Sequence, residues 1–278
     1  MSILESFILG FVQGATEFLP ISSSGHLAIL QNWMNISEGT VAFTVFLHLG
    51  SLVAVIIAYK KSIVSILKAF VGMCKDIKRE RSLCIYKDKY RLYFILLIIA
   101  TIPTAIIGLL FEDKVDAAFS SMTIVGVMLL ITGILLYFGE KFSALNTRGI
   151  KNLKPKNAFI IGLFQSCALF PGLSRSGTTM VGGFANGLKR EDAAEFSFLL
   201  SIPAVLGATL LKVKDIIKLG AQGTSAGVMI VGFVTSLVVG YFAIKLLVYV
   251  LKNNRLKYFS YYCWAVGLIV LIMQIVNR

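Results

Sequence analysis

Residues 10–26 read GFVQGATEFLPISSSGH, and residues 162–178 read GLFQSCALFPGLSRSGT. Aligned without a gap, the two stretches share these pairs: Gly10 with Gly162, Gln13 with Gln165, Phe18 with Phe170, Ser22 with Ser174, Ser24 with Ser176 and Gly25 with Gly177. Each copy is an apolar helical run that breaks at a proline into a turn rich in serine and glycine. In an apolar chain, such a turn leaves backbone N–H groups free to bind a ligand.

The two copies differ at the positions that carry chemistry. The first copy holds groups that exchange protons or attack, which are Glu17, Ser23 and His26. The second copy holds Leu169, Arg175 and Thr178 at the same positions and therefore supplies the fixed cation. We interpret the pair as two halves of one site.

The composition indicates an integral membrane protein. Of the 278 residues 57% are hydrophobic, and the mean hydropathy is +0.82, which is too apolar for a soluble domain. The formal charge of +13 is then expected to reflect basic cytoplasmic loops, and we expect no nucleic-acid partner. The N-terminus has no basic residue before Glu5 and no cleavage-site pattern, so we expect no cleaved signal peptide.

The apolar runs predict an all-α fold. Six runs reach spanning length, at 41–59, 92–111, 123–138, 196–211, 226–247 and 258–275. Two interrupted segments, at 1–33 and 158–184, are predicted to form re-entrant hairpins of broken helices. Eight full spans is the alternative count. We expect a single polytopic domain over 1–278, with one repeat at about 1–140 and a second at about 155–278.

The distribution of the 27 lysines and arginines predicts the orientation. Most of them fall at 60–91, 141–156, 189–190 and 245–257, which are predicted to lie on one side of the membrane. The other side receives Lys114, Lys212, Lys214, Lys218 and Arg278. The basic side is expected to be cytoplasmic, which places both termini outside. Because each half has one hairpin and three spans, the second half inserts inverted relative to the first, with the site between the broken helices.

The first motif offers acid–base chemistry. Gln13 and Glu17 are four residues apart, on one helix face, and a carboxylate at membrane depth is functional by default. The alternative role for Glu17 is a structural hydrogen bond to its own turn. The serines Ser22, Ser23 and Ser24, with Gly25, are predicted to form an anion-binding turn. His26 is a candidate acid, base or nucleophile. His48, within an apolar span, is predicted to be a buried structural histidine, with a contact to the site as the alternative.

The second motif, PGLSRSGTT, is predicted to hold an oxyanion. Gly177 allows close approach to the backbone, and the following helix presents its positive N-terminal end. Four side chains supply hydroxyl groups: Ser174, Ser176, Thr178 and Thr179. The planar guanidinium of Arg175 suits phosphate. The alternative is a structural ion pair between Arg175 and Glu17, which substrate phosphate can replace.

Both motifs resemble those of the bacterial undecaprenyl-pyrophosphate phosphatases of the bacitracin-resistance type, and the similarity covers essentially the whole chain. The resemblance implies a plasma-membrane hydrolase that removes the terminal phosphate of undecaprenyl pyrophosphate and so recycles the lipid carrier of cell-wall synthesis. It implies acid–base or metal-binding roles for Glu17 and His26, a candidate nucleophile in Ser23, and a pyrophosphate clamp around Arg175. Ser23, His26 and an activated water all remain candidate attackers.

The resemblance also implies a divalent cation, Mg²⁺ or Ca²⁺, with Glu17 as a ligand. Gln13 is a second candidate ligand, although this position is often glutamate in the family, and the departure weakens the case for a pair of carboxylates. A flippase or transporter of polyprenyl phosphate is the alternative function, because inverted repeats that meet in mid-membrane are typical of transporters. A homodimer is one of the assemblies that the sequence leaves open.

Overall fold

A computed structural model describes residues 1–36, 40–143, 146–219, 225–253 and 255–276. The side chains of Thr40 and of residues 213–219 are not described. Within the described residues the chain forms these α-helices: α1 Ile3–Phe18, α2 Ser23–Trp33, α3 Thr40–Ala58, α4 Lys60–Glu80, α5 Lys89–Leu110, α6 Glu112–Phe119, α7 Met122–Ser143, α8 Pro155–Cys167, α9 Arg175–Ala185, α10 Arg190–Leu219, α11 Ala226–Lys252 and α12 Lys257–Val276. Short 3-10 turns occupy Ile85–Lys87 and Ile150–Asn152.

Six of these helices are long and apolar enough to cross a membrane, which confirms the predicted number of spans. They are α3, α5, α7, α10, α11 and α12. The largest shifts in boundaries are in α10, which begins at Arg190 instead of residue 196 and ends at Leu219 instead of residue 211. Glu191 and Asp192 in its first turn explain the earlier start, because acidic side chains favour the positive N-terminal end of a helix.

Two pairs of short helices lie where the broken hairpins are predicted. Helices α1 and α8 contain 16 and 13 residues, and α2 and α9 contain 11 residues each. At about 1.5 Å per residue, none of the four reaches the roughly 30 Å of a hydrocarbon core. α1 ends at Phe18 because Leu19 precedes Pro20, and the residue before a proline disfavours helical backbone.

The segment at 60–91, interpreted from sequence as a basic loop, contains a helix. The 21-residue α4 buries Ile66, Ala69 and Met73 against the protein. Their spacing is the apolar period of an amphipathic helix, which the interleaved lysines hid.

Contacts at the helix ends join segments that the sequence predicts on the same side of the membrane. At one end, Arg190 donates to Ser143 at 2.8 Å and the segment around Arg148 pairs with Leu188. At the other end, Lys212 lies 2.7 Å from Asp116 and 3.5 Å from Glu112. Arg278, predicted to share this second side, lies outside the described residues, as do the side chains of Lys214 and Lys218.

Close helix packing fixes the positions of α1 and α8. A Cβ atom at Gly10 would lie 2.7 Å from the backbone oxygen of Gly232 on α11, and one at Gly14 would lie 2.6 Å from that of Ser236. A Cβ atom at Gly162 on α8 would meet the backbone oxygen of Ala100 on α5. Each first half-helix therefore lies against a spanning helix at a distance that only glycine permits.

Candidate active site

The two Ser/Gly turns meet at the N-terminal ends of α2 and α9. A Cβ atom at Gly25 would lie 3.0 Å from Cα of Gly172, and one at Gly177 would lie 3.1 Å from Cβ of Pro20. The Ser176 hydroxyl donates to the backbone oxygen of Leu19 at 3.4 Å. Two helix N-termini therefore converge, and both direct positive dipole ends toward the same region.

An ion pair joins the two motifs. Nη2 of Arg175 lies 2.6 Å from Oε1 of Glu17, and these side chains are only 17% and 7% exposed. Nη1 of Arg175 also donates to the backbone oxygen of Ser197 at 3.2 Å. The ion pair that the sequence offered as an alternative is thus present.

Polar groups from three helices lie around Oε2 of Glu17. Ser23 donates to Oε2 at 2.6 Å, and Nε2 of Gln13 donates to the same atom at 3.0 Å. Nε2 of Gln13 also lies 3.4 Å from Oγ of Ser51 on α3. Nε2 of His48 lies 3.8 Å from Oε2 of Glu17, so His48 faces the site carboxylate in addition to contacting Thr44 in its own helix.

The hydroxyl groups of the turns largely bond within the turns. Ser22 accepts the Gly25 N–H at 3.2 Å, and Ser174 accepts the Gly177 N–H at 3.1 Å. Both serines act as N-caps. The N–H groups of Gly25 and Gly177 are therefore already hydrogen-bonded, whereas the sequence predicted N–H groups free to bind an anion. Ser22 has a φ of 72°, a strained backbone for a residue other than glycine.

The other predicted hydroxyl groups pair locally as well. Ser24 contacts Ser22 at 3.2 Å, and Ser176 contacts Ser174 at 3.3 Å. Thr178 donates to the backbone oxygen of Ser174 at 2.6 Å. These bonds fix the shape of the two turns.

His26 has hydrogen-bond partners other than the Glu17 cluster. Nδ1 lies 2.7 Å from the backbone oxygen of Ser22, and Nε2 lies 2.8 Å from the Tyr262 hydroxyl on α12. Among the described residues, neither nitrogen has a hydrogen bond to Glu17. The structure therefore brings Ser23 and Arg175 into direct contact with Glu17 and places His26 on the neighbouring face of α2.

Comparison with known proteins places this site in a family. A family model described as bacitracin resistance protein BacA matches residues 6–269. The chain belongs to the BacA family. An undecaprenyl-diphosphatase of Alkaliphilus metalliredigens is 43% identical over 99% of this chain and 100% of its own length. Proteins of the same name from Methanosphaera stadtmanae and Halothermothrix orenii are 42% and 40% identical over 98% or more of each chain.

A divalent cation fits the donor atoms in this BacA-family site. Oε1 of Gln13 is buried and has no hydrogen-bond partner among the described residues, and it belongs to the side chain that contacts Glu17. The described residues contain no cluster of three His, Cys, Asp or Glu side chains. One carboxylate and one amide oxygen suit Mg²⁺, which often takes its remaining ligands from substrate phosphates and water.

Three supporting residues of this BacA-family site were missed from sequence. Ser197 contacts both Arg175 and Thr179. Thr132 accepts the Ser174 N–H at 3.1 Å and donates to the backbone oxygen of Gly172 at 3.0 Å, and Tyr262 binds His26. Ser197 and Thr132 gave a weak signal as hydroxyls within apolar helices, whereas Tyr262 lies in an aromatic run with no distinguishing feature.

Proposed function

We propose that this chain hydrolyses undecaprenyl pyrophosphate to undecaprenyl phosphate and inorganic phosphate in the plasma membrane. By recycling the lipid carrier it would serve cell-wall synthesis and confer resistance to bacitracin. The names of its relatives support the substrate, and the contact of Ser23, Glu17 and Arg175 between two helix N-termini carries the proposal. The hydroxyl of Ser23 and the carboxylate of Glu17 together supply a nucleophile and its base, which hydrolysis requires and transport does not.

Arg175 is the proposed anchor for the pyrophosphate. Its bond to Glu17 holds the side chain against the first motif when no substrate is bound. Pyrophosphate oxygens compete with Glu17 for the guanidinium, whose planar set of donors matches two phosphate oxygens at once. Binding of substrate therefore releases Oε1 of Glu17 while the Ser197 backbone oxygen keeps the arginine in place.

Ser23 is the proposed nucleophile, and Glu17 is its base. As Oγ of Ser23 forms a bond to the terminal phosphorus, the bond from that phosphorus to the bridging oxygen breaks, and undecaprenyl phosphate leaves. The Ser23 proton passes to Oε2 of Glu17, to which it is already bonded. Water then displaces Oγ at the phosphorus, Oγ regains its proton from Oε2 of Glu17, and the phosphoryl group leaves as inorganic phosphate, which keeps the protons of the water.

Glu17 and Gln13 would hold a divalent cation beside the transferring phosphoryl group. When bound, Mg²⁺ or Ca²⁺ would neutralise the charge that develops on the phosphate oxygens. The remaining hydroxyls, of Ser22, Ser24, Ser174, Ser176, Thr178 and Thr179, shape the turns that receive the pyrophosphate.

The two hairpins are proposed to be re-entrant and related by an inverted repeat. Matched contacts support this: Gly10 and Gly162 each approach a backbone oxygen of a spanning helix. Gln13 and Gln165 each donate to a hydroxyl on another helix, at 3.4 and 3.1 Å. The repeats would cover about 1–140 and 155–278 of one polytopic domain, with the basic end cytoplasmic and both termini outside.

The test is phosphate release from undecaprenyl pyrophosphate by purified protein in detergent, with and without EDTA. We expect release that EDTA abolishes and added Mg²⁺ or Ca²⁺ restores. A folded protein that binds the lipid but releases no phosphate with either cation would overturn the proposal. Release that survives EDTA would overturn the role of the cation alone.

A further inference from the structure

His26 is held by hydrogen bonds at both ring nitrogens, and these bonds define its neutral tautomer. The Ser22 backbone oxygen, 2.7 Å from Nδ1, can only accept, so Nδ1 carries the proton. In a neutral imidazole Nε2 is then the acceptor. The Tyr262 hydroxyl, 2.8 Å away, is therefore the donor to Nε2.

The second motif shows which of these two bonds belongs to the turn. Thr178, the counterpart of His26, donates to the Ser174 backbone oxygen at 2.6 Å. This bond spans the same four residues as the bond from Nδ1 of His26 to Ser22. Nδ1 thus does in the first motif what the threonine hydroxyl does in the second, and Nε2 has no counterpart there.

Tyr262 reaches His26 from the far end of the chain. It lies on α12 and is 42% exposed. The two rings are nearly parallel, with an interplanar angle of 9° and centroids 5.6 Å apart. This arrangement holds the imidazole in one orientation in the first turn of α2, where Ser23 also lies.

We propose that Tyr262 is a positioning residue for the phosphatase reaction, and that its hydroxyl fixes the orientation and the neutral tautomer of His26 in the turn that receives the pyrophosphate. The proposal rests on the function proposed above. Tyr262 itself needs no contact with the phosphate, since it acts through the orientation and tautomer of His26.

The kinetic test compares Tyr262→Phe, which keeps the ring and removes only the hydroxyl, with Tyr261→Phe on the same helix. We expect kcat to fall about tenfold in Tyr262→Phe with KM within about twofold, and Tyr261→Phe to match the wild type. In a His26→Gln background, Tyr262→Phe should cause no further loss. An unchanged kcat in Tyr262→Phe, or a change confined to KM, would overturn the proposal. So would a further loss of kcat of the same size when Tyr262→Phe is added to the His26→Gln variant.

A spectroscopic test does not depend on activity. The chain has only 2 histidines, so ¹⁵N spectra of histidine-labelled protein can be assigned with a His48→Gln variant. We expect protonated Nδ1 and acceptor Nε2 in His26 of the wild type, and a mixture of tautomers in Tyr262→Phe. Protonated Nε2 in neutral wild-type His26, or identical spectra, would overturn the proposal. A wild type without phosphate release would instead overturn the proposed function.

Discussion

At the scale of single residues, the account depends on the two oxygens of Glu17. Oε1 binds Arg175 and Oε2 binds Ser23, each at 2.6 Å. The carboxylate therefore links the cation of one hairpin to the hydroxyl of the other. A buried carboxylate in this position needs both partners, because an unpaired buried charge is costly.

Replacement of Ser23 by alanine tests this linkage. We expect Ser23→Ala to lower kcat on the order of 1000-fold, because the attacking oxygen is lost. Ser24→Ala is the matched variant in the same turn; its hydroxyl contacts Ser22 and not Glu17, so a loss of about tenfold or less is expected. Phosphate release under saturating lipid measures both. Similar losses in the two variants would contradict the assignment of Ser23.

The residues that sequence predicted are those that interrupt apolar runs. Glu17, Ser23 and Arg175 are polar groups at membrane depth. The free-energy cost of placing such groups there is enough to indicate a functional role. Thr132, Ser197 and Tyr262 could not be assigned, because their contacts depend on how distant helices pack. The capping of Gly25 and Gly177 was also missed, since a serine-rich turn can either present its N–H groups or satisfy them.

At the scale of helices, close packing of α1 against α11 sets the position of Glu17. Gly14 lies one turn before Glu17 and directly against the α11 backbone. A methyl group there would force the helices apart and displace the carboxylate from Arg175.

Gly14→Ala is therefore expected to destabilise the protein by about 1–3 kcal/mol. Gly207→Ala in α10 is the control, since a Cβ atom there meets nothing within 4 Å. That variant should be neutral or stabilising by up to about 1 kcal/mol, because alanine favours helix. Thermal unfolding in detergent measures both, and equal melting temperatures would show that α1 does not pack this closely.

Helix α4 is fastened to α5 by an ion pair that should depend on pH. Asp76 lies 2.6 Å from Arg91 and 3.2 Å from Lys87. The hydrogen bond from Arg91, followed by that from Lys87, lowers the pKa of Asp76 below its ordinary value. The pair thus stabilises the fold above the unfolded pKa of about 3.9 and is lost as pH falls through the lowered folded pKa.

We expect Asp76→Asn to lower the melting temperature at pH 7, and the difference from wild type to shrink as the medium is acidified toward that lowered pKa. Glu80→Gln on the same helix, which makes no ion pair within the described residues, should behave like wild type at both pH values. A difference in melting temperature that stays constant with pH would show that Asp76 acts by packing and not by charge.

At the scale of the whole molecule, the sequence predicted the six spans because each is a continuous apolar run. Helix α4 was not predicted, because lysines interrupt its apolar period. The relation between the two halves could be inferred from sequence at one repeated motif only. The basic end, which includes α4 and the segment around Arg148, predicts which side of the bilayer the molecule presents to the cytoplasm.

Cysteine labelling tests this orientation. In a background with all four native cysteines replaced by alanine, we expect Ser2→Cys to react with a membrane-impermeant maleimide in intact cells. Ser82→Cys, in the basic segment after α4, should react only after the cells are permeabilised. The reverse pattern would invert the topology.

The central claim is that two hairpins form one catalytic unit through Glu17 and Arg175. The most direct measurement is a double-mutant cycle on phosphate release with Glu17→Gln, Arg175→Ala and the double variant, all checked for folding. The account predicts that each single variant loses at least about 1000-fold in the rate of phosphate release. The double variant should be little slower than either, because loss of one residue already disables the shared site. Losses that multiply, or substantial activity in either single variant, would contradict it.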